Sequence, residues 1–163
     1  MKAFLLKSKF EVIALQGIPA PVAGVETATA PLPLVIEMEH AARGTNLDVT
    51  VPAERVVDAA KILDDAKFMI EAITGVDWLA DRQLEVVYDF THAASGERVT
   101  VRTRISRDQP KLPTISHIYG GANWHERETH DFFGIIFTGH PQLIPLLLPE
   151  DARFHPLRKD FTA

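Results

Sequence analysis

Four charged side chains, Glu126, Arg127, Glu128 and Asp131, crowd the run Ala122–Phe133, which reads ANWHERETHDFF. Carboxylates this close together are the raw material of general acid–base catalysis, provided one of them keeps its proton near neutral pH. Arg127 in their midst favours ionised, tied-up carboxylates instead. His125-Glu126 followed by His130 superficially matches the His-Glu-x-x-His zinc helix. The spacing is wrong, because five residues rotate the second imidazole by about 140° and the two rings share no helix face. His117, His140 and His155 form a site only if the fold brings them together; the last two precede Pro141 and Pro156 as turn residues, which favours a structural role. No glycine-rich phosphate loop and no Gly-x-Ser-x-Gly elbow occurs, and Gly120-Gly121 reads as a turn. These residues suit contact better than catalysis. The rival is a free-standing carboxylate- or metal-dependent enzyme, which requires activity or stoichiometric metal in the isolated chain.

The element that positions these groups is a short helix from Asn123 to Phe133. Asn123 is a good N-cap, Glu126 three residues on completes a capping-box-like pair, and Gly134 stands where a helix C′ residue belongs. At about 100° per residue, Trp124, Arg127, Glu128 and Asp131 fall on one face, while Phe132 and Phe133 point to other sides. An ordinary surface helix separates polar from apolar. Here either the charged face is solvated with Trp124 lying across it, or the helix is covered on several sides and Arg127 pairs with Glu128 or Asp131 away from water.

The chain of 163 residues is 46% hydrophobic, enough for one domain with a true core plus an extension. A net charge of −5 leaves no basic stripe for phosphates, so nucleic acid is not an expected partner. Cysteine is absent, which rules out disulfides and thiolate ligation of an iron–sulfur cluster or zinc by this chain. Lys7 and Lys9 interrupt the opening apolar residues, unlike a secretory signal. No run approaches the roughly 18 apolar residues that span a bilayer.

Three segments are expected: an N-terminal extension with a Pro/Ala-rich connector (1–46), an α+β domain (47–137) and an extended C-terminal docking arm (138–163). Met1 to Leu15 reads as a short strand or helix, and Gln16 to Pro33 as an extended connector. Leu34 to Met38 suits a strand, and Arg43-Gly44-Thr45 a turn. Leu47 to Val51 alternates into Pro52, which fits a strand entering a helix with proline at its first position. Val56, Ala60 and Leu63 recur at helical spacing. Phe68 to Ile73 is too short and too apolar to classify. Leu84, Val86, Tyr88 and Phe90, then Val99, Val101, Thr103 and Ile105, alternate as the two strands of an antiparallel hairpin with one buried face. The basic row Arg98, Arg102 and Arg104 is either a solvated outer face or a docking face. The fold class is therefore α+β, a small mixed or antiparallel sheet with helices on one side, followed by an extended Pro-rich arm.

Beyond Gly134 one short strand fits Ile135 to Phe137. Pro141, Pro145, Pro149 and Pro156 then hold the backbone extended or turning. This tail carries Leu143, Ile144, Leu146, Leu147, Leu148, Phe154, Leu157 and Phe161, too little for a core of its own. It needs a surface to lie on, this domain's or a partner's.

Asn123-Trp124-His125-Glu126-Arg127-Glu128, Asp131-Phe132-Phe133-Gly134-Ile135, Gly139-His140-Pro141 and His155-Pro156-Leu157-Arg158-Lys159-Asp160-Phe161 follow one another in order. This series resembles the thirty-kilodalton subunit of proton-pumping NADH:quinone oxidoreductase, respiratory complex I. Val76-Asp77-Trp78, Val86-Val87-Tyr88 and Leu112-Pro113 extend the likeness toward Leu47, and residues 1–46 lie outside it. The resemblance implies a subunit of the hydrophilic arm with no redox centre, bound beside the large quinone-site subunit and the small iron–sulfur subunit. Iron–sulfur clusters and flavin would then reside in partner subunits and no cofactor in this chain. Its place would be peripheral, on the cytoplasmic side of an energy-transducing membrane, with membrane association indirect through the complex. On this likeness Trp124, Glu126, Arg127, Glu128, Asp131, Phe133 and Gly134 form a docking helix. His140, Pro141, His155, Pro156, Leu157, Arg158, Lys159 and Asp160 belong to the docking arm.

Two features depart from that pattern. Ile144 and Pro145 stand where complex I chains usually carry a basic pair. The following Leu146-Leu147-Leu148-Pro149-Glu150-Asp151 resembles the homologous subunit of membrane-bound, energy-converting nickel–iron hydrogenases and formate hydrogenlyase-type complexes, whose nickel–iron centre lies in a hydrogenase-like partner subunit. The chain also stops at Ala163, without the tail many relatives carry.

Overall fold

The computed structural model describes residues 2–15 and 35–162; the connector expected over 16–33 lies outside them. In chain order the helices are α1 (Lys2–Leu15), α2 (His40–Arg43), α3 (Val56–Asp65) and α4 (Ala122–Phe133). The strands are β1 (Val35–Glu37), β2 (Leu47–Thr50), β3 (Met69–Trp78), β4 (Gln83–Thr91), β5 (Arg98–Ser106), β6 (Lys111–Pro113) and β7 (Ile136–Thr138). Five strands form one sheet in the order β1-β2-β5-β4-β3, parallel at β2–β5 and antiparallel elsewhere. β6 and β7 pair in parallel as a separate ribbon. The fold is α+β, and the packed helices lie against one side of the larger sheet. Among the described residues, no helix is long and apolar enough to cross a membrane.

The core follows from strand alternation. Leu84, Val86, Tyr88 and Phe90 of β4 and Val99, Val101 and Ile105 of β5 point inward and are nearly fully buried. They meet Val56, Ala59, Ala60 and Leu63 of α3, Phe10 of α1, and Phe133 of α4. The ambiguous N-terminal segment is a helix, and its Leu6 and Phe10 join this core.

Within Phe68 to Ile73, Met69 turns out to open a ten-residue strand, β3, which pairs with β4 from end to end apart from a bulge between Ile70 and Ala72. Its inward positions include Gly75 and Asp77, and a glycine and an acid hide the apolar alternation by which a strand is read. Gly75 is there to admit α4. A Cβ at this position would press into the Phe133 ring, coming within 2.8 Å of its Cγ. Gly75→Ala is therefore expected to destabilise the fold by about 1–3 kcal/mol through overpacking. A lowered denaturant midpoint at unchanged slope is the check.

On the opposite face the basic row of β5 is neither free nor simply solvated. Arg98 pairs with Glu71, Arg102 with Asp48 at 2.9 Å, and Arg104 with Glu85 at 3.4 Å. The Arg104 guanidinium also lies 4.7 Å from the centroid of the Trp78 ring. Glu85 is buried on this face with the Trp78 indole N–H and the Arg102 and Arg104 guanidinium groups around its carboxylate.

Candidate functional site

Helix α4 is capped two residues earlier than its capping pattern predicts. Gly121 is the N-cap, no side chain caps the helix, and Asn123 lies inside it. Glu126 does not reach back to the N-terminus as a capping box requires. It points inward, where the Ile115 N–H donates to it at 2.8 Å and the Thr114 hydroxyl bonds its other oxygen. The C-terminal expectation holds: Gly134 adopts φ 73° and its N–H bonds the His130 carbonyl at 2.8 Å. Gly134 is required by space as well, since a Cβ would come within 2.5 Å of His155 Nε2 and 2.8 Å of Arg158 Nη2.

Arg127 pairs with neither Glu128 nor Asp131. Its Nε donates to the Ile144 carbonyl at 3.1 Å and its Nη2 to the Pro145 carbonyl at 2.9 Å. Its guanidinium carbon lies 5.3 Å from the centre of the Trp124 ring. A sequence rule weighs ion pairs within one helix, whereas the carbonyls before and at a proline, which face no helix or sheet partner, compete for the same donors.

Asp131 faces the same segment. One of its oxygens accepts the backbone N–H groups of Leu146, Leu147 and Leu148 at 2.9, 2.7 and 3.1 Å. Burial alone would raise this carboxyl; the three donors, helped by nearby His130, outweigh it and hold the pKa below the ordinary value.

The chain beyond Gly139 has neither helix nor strand up to Thr162, and further polar bonds fasten it. His155 Nδ1–H donates to the Asp131 carbonyl at 2.9 Å, and the Leu157 N–H to the Phe132 carbonyl at 3.2 Å. Arg158 Nε donates to the Phe133 carbonyl at 2.8 Å. The Lys159 N–H then donates to Asp77 at 2.8 Å, and Arg107 bridges Asp77 at 2.9 Å and Asp160 at 2.5 Å. Burial opposes the charge on Asp77, but Arg107 and the Lys159 N–H prevail and lower its pKa. Reading the residues gave Arg107 no role. Asp77 was not legible as an inward acid in need of a cation either, because the strand that turns it inward shows no apolar alternation in the sequence.

His130 and His140, like His155, are tied to the backbone. His130 Nδ1–H donates to the Ile135 carbonyl at 2.8 Å. The Gln142 N–H donates to His140 Nδ1 at 3.1 Å, so its Nε2 carries the proton and donates to the Asn123 carbonyl at 3.3 Å. That ring lies 3.9 Å from Glu126 and burial lowers its pKa, so the contact is not an ion pair.

Glu126 and Asp131 thus serve different neighbours on different sides of the helix and converge on no common reacting atom. A hollow of about 330 Å³ opens on the outer sheet face among Arg43, Asp48, Asp89, Arg98 and Arg102, away from both. What α4 and its follower offer instead is surface. Trp124 and Leu147 are each 60% exposed and Leu157 53%, and Ile144, Phe154 and Phe161 are exposed as well. Phe154 and Phe161 stack on one another at 5.6 Å. The segment expected to lie on its own domain or on a partner is pinned to its own domain through polar groups, with these apolar side chains turned outward. Pro141 is exposed and Pro156 half-buried.

Comparison with known proteins bears on this surface. Residues 49–163 match the family model for the respiratory-chain NADH dehydrogenase 30 Kd subunit. An NADH-quinone oxidoreductase subunit of Roseiflexus castenholzii is 44% identical over 120 residues, covering 71% of this chain and 69% of that protein. A chain of the membrane-bound sulfane sulfur reductase, an archaeal respiratory membrane complex, is similar at TM-score 0.70 and 33% identity, over 82% of this chain and 79% of its own. A trypsin-resistant fragment of Nqo5 is similar at TM-score 0.66 and 25% identity, over 88% of this chain and all of its own.

Proposed function

Because the chain belongs to the respiratory-chain NADH dehydrogenase 30 Kd subunit family, we propose that it is a structural subunit of the hydrophilic arm of a complex I-like NADH:quinone oxidoreductase. It supports the large quinone-site subunit and the small iron–sulfur subunit and performs no electron transfer itself. Flavin and clusters belong to those partners, and the chain reaches the cytoplasmic side of the membrane only through them. The supporting observation is the pinned segment of residues 144–160, which fixes a set of outward apolar side chains on a domain that already has a complete core. Isolated soluble domains rarely hold such a surface rigid without a partner to cover it. On this reading the docking helix is Trp124 to Gly134, and the docking arm is 138–163.

A second reading is favoured by the likeness to the sulfane sulfur reductase chain and by Ile144-Pro145. The same scaffold then serves a membrane-bound complex of the energy-converting hydrogenase type. Tagging the full chain in its own cells and identifying the proteins that co-purify separates the two: flavin- and NADH-handling subunits support the first, a nickel–iron subunit the second. In the same experiment Phe154→Ser with Leu157→Ser should lower recovery of the complex about thirtyfold, as loss of about 2 kcal/mol of apolar burial requires. Unchanged recovery, or chemistry performed by the purified chain alone, overturns the docking function.

A further inference from the structure

The three carboxylates of α4 are not equally provided for. Glu126 and Asp131 have their donors within the chain. Glu128 is half-buried, yet has no hydrogen bond or ion pair among the described residues. Its adjacent cation, Arg127, is committed to the carbonyls of Ile144 and Pro145. One turn earlier on the same face stands Trp124, with Arg127 against its ring and most of its surface open. Ile144 and Leu147, exposed, lie on the segment that Arg127 and Asp131 hold across this side of the helix.

An acidic side chain that is half-buried and without a partner among the described residues, beside an open indole and apolar neighbours, is complementary to one kind of side chain. We propose that Glu128 and Trp124 form a socket for an arginine of a neighbouring subunit, a finer statement that rests on the docking function above. A guanidinium satisfies both groups together, because it forks onto a carboxylate and stacks flat on an indole, and its weak hydration lets it enter an apolar rim. An ammonium does only the first well. The chain's net charge of −5 draws the same partner.

The test uses the assembled complex, washed at increasing salt, with this chain tagged. Glu128→Gln should weaken retention on the order of thirtyfold, the usual loss when one partner of a desolvated charge pair is truncated. Trp124→Ala should weaken it roughly fivefold. Glu128→Asp, which keeps the charge, should recover most of the loss. The denaturant midpoint of the purified Glu128→Gln chain should match that of the parent. A matching fall in that midpoint would make Glu128 an internal structural residue and overturn the socket. If Glu128→Gln assembles normally while the Phe154/Leu157 double variant does not, docking stands and the socket falls. If both assemble normally, the docking function itself is wrong. Carbodiimide coupling of Glu128 to a partner amine would reveal a lysine and also overturn the proposal.

Discussion

Asp131→Ala is expected to loosen the stretch around Leu146, Leu147 and Leu148 from α4 while the five-stranded sheet stays folded. The substitution removes the sole side-chain acceptor of three consecutive backbone N–H groups, those of Leu146, Leu147 and Leu148. A hydrogen bond to a charged group contributes about 1.5–3 kcal/mol, and such terms do not add when one atom serves several donors. The loss also has a ceiling, because the segment leaves once holding it costs more than releasing it. The expected deficit is about 3 kcal/mol, confined to that segment. Hydrogen exchange reads it directly: the three leucine amides should exchange roughly a hundredfold faster, and those of β4 and β5 at their former rates. Asp131→Asn keeps an acceptor but no charge and should fall between. Uniform acceleration across the sheet would show that Asp131 holds α4 together and not its follower. The pH dependence has a definite sign. A carboxyl whose folded pKa is lowered stabilises above its unfolded pKa and loses that contribution as pH falls through the folded value. Acidified parent protein should therefore come to exchange like the variant at these three amides.

The sequence was informative wherever local periodicity and burial agree. The β4–β5 hairpin and α3 were plain from alternation at two and recurrence near 3.6 residues, and Gly134 marked a helix end that also required φ 73°. Expectations missed where a residue answers to a distant part of the chain. Glu126 looked like a capping partner for Asn123 because both lie on one helix, yet its donors come from Thr114 and Ile115. Arg127 looked like half of an ion pair because carboxylates flank it, yet proline-segment carbonyls are its acceptors. β3 was unreadable because Gly75 makes room for Phe133 and Asp77 receives Arg107 and Lys159. None of these relations leaves a local periodic trace, so no reading of spacing recovers them.

Glu126 leads to the second large effect, on stability as a function of pH. It is fully buried, with the Tyr88 hydroxyl also in the interior and a neutral His140 at 3.9 Å. Burial raises its pKa from 4.5 to about 7, against the lowering exerted by the Thr114 hydroxyl and the Ile115 N–H. The folded state thus binds the proton more tightly than the unfolded chain does. Its contribution is fully present below pH 4.5, declines as pH rises, and is lost by the time pH has passed 7. The total is about 3 kcal/mol, at 1.36 kcal/mol per pKa unit. Ion pairing would show the reverse slope, but among the described residues no charged cation lies within pairing distance, since Arg127 points to Ile144 and the neutral His140 bonds Asn123. Glu126→Gln is the discriminating variant, because the amide oxygen can accept from Ile115 and the amide nitrogen can donate to Thr114 without a charge to desolvate. Its unfolding free energy from denaturant titration should lie within about 1 kcal/mol of the parent's near pH 5 and exceed it by about 3 kcal/mol near pH 8. A parent that gains stability across this range would require an unseen cation beside Glu126. A variant that is weaker at both pH values would mean that the carboxyl's shape, and not its charge, holds α4 against the segment before it.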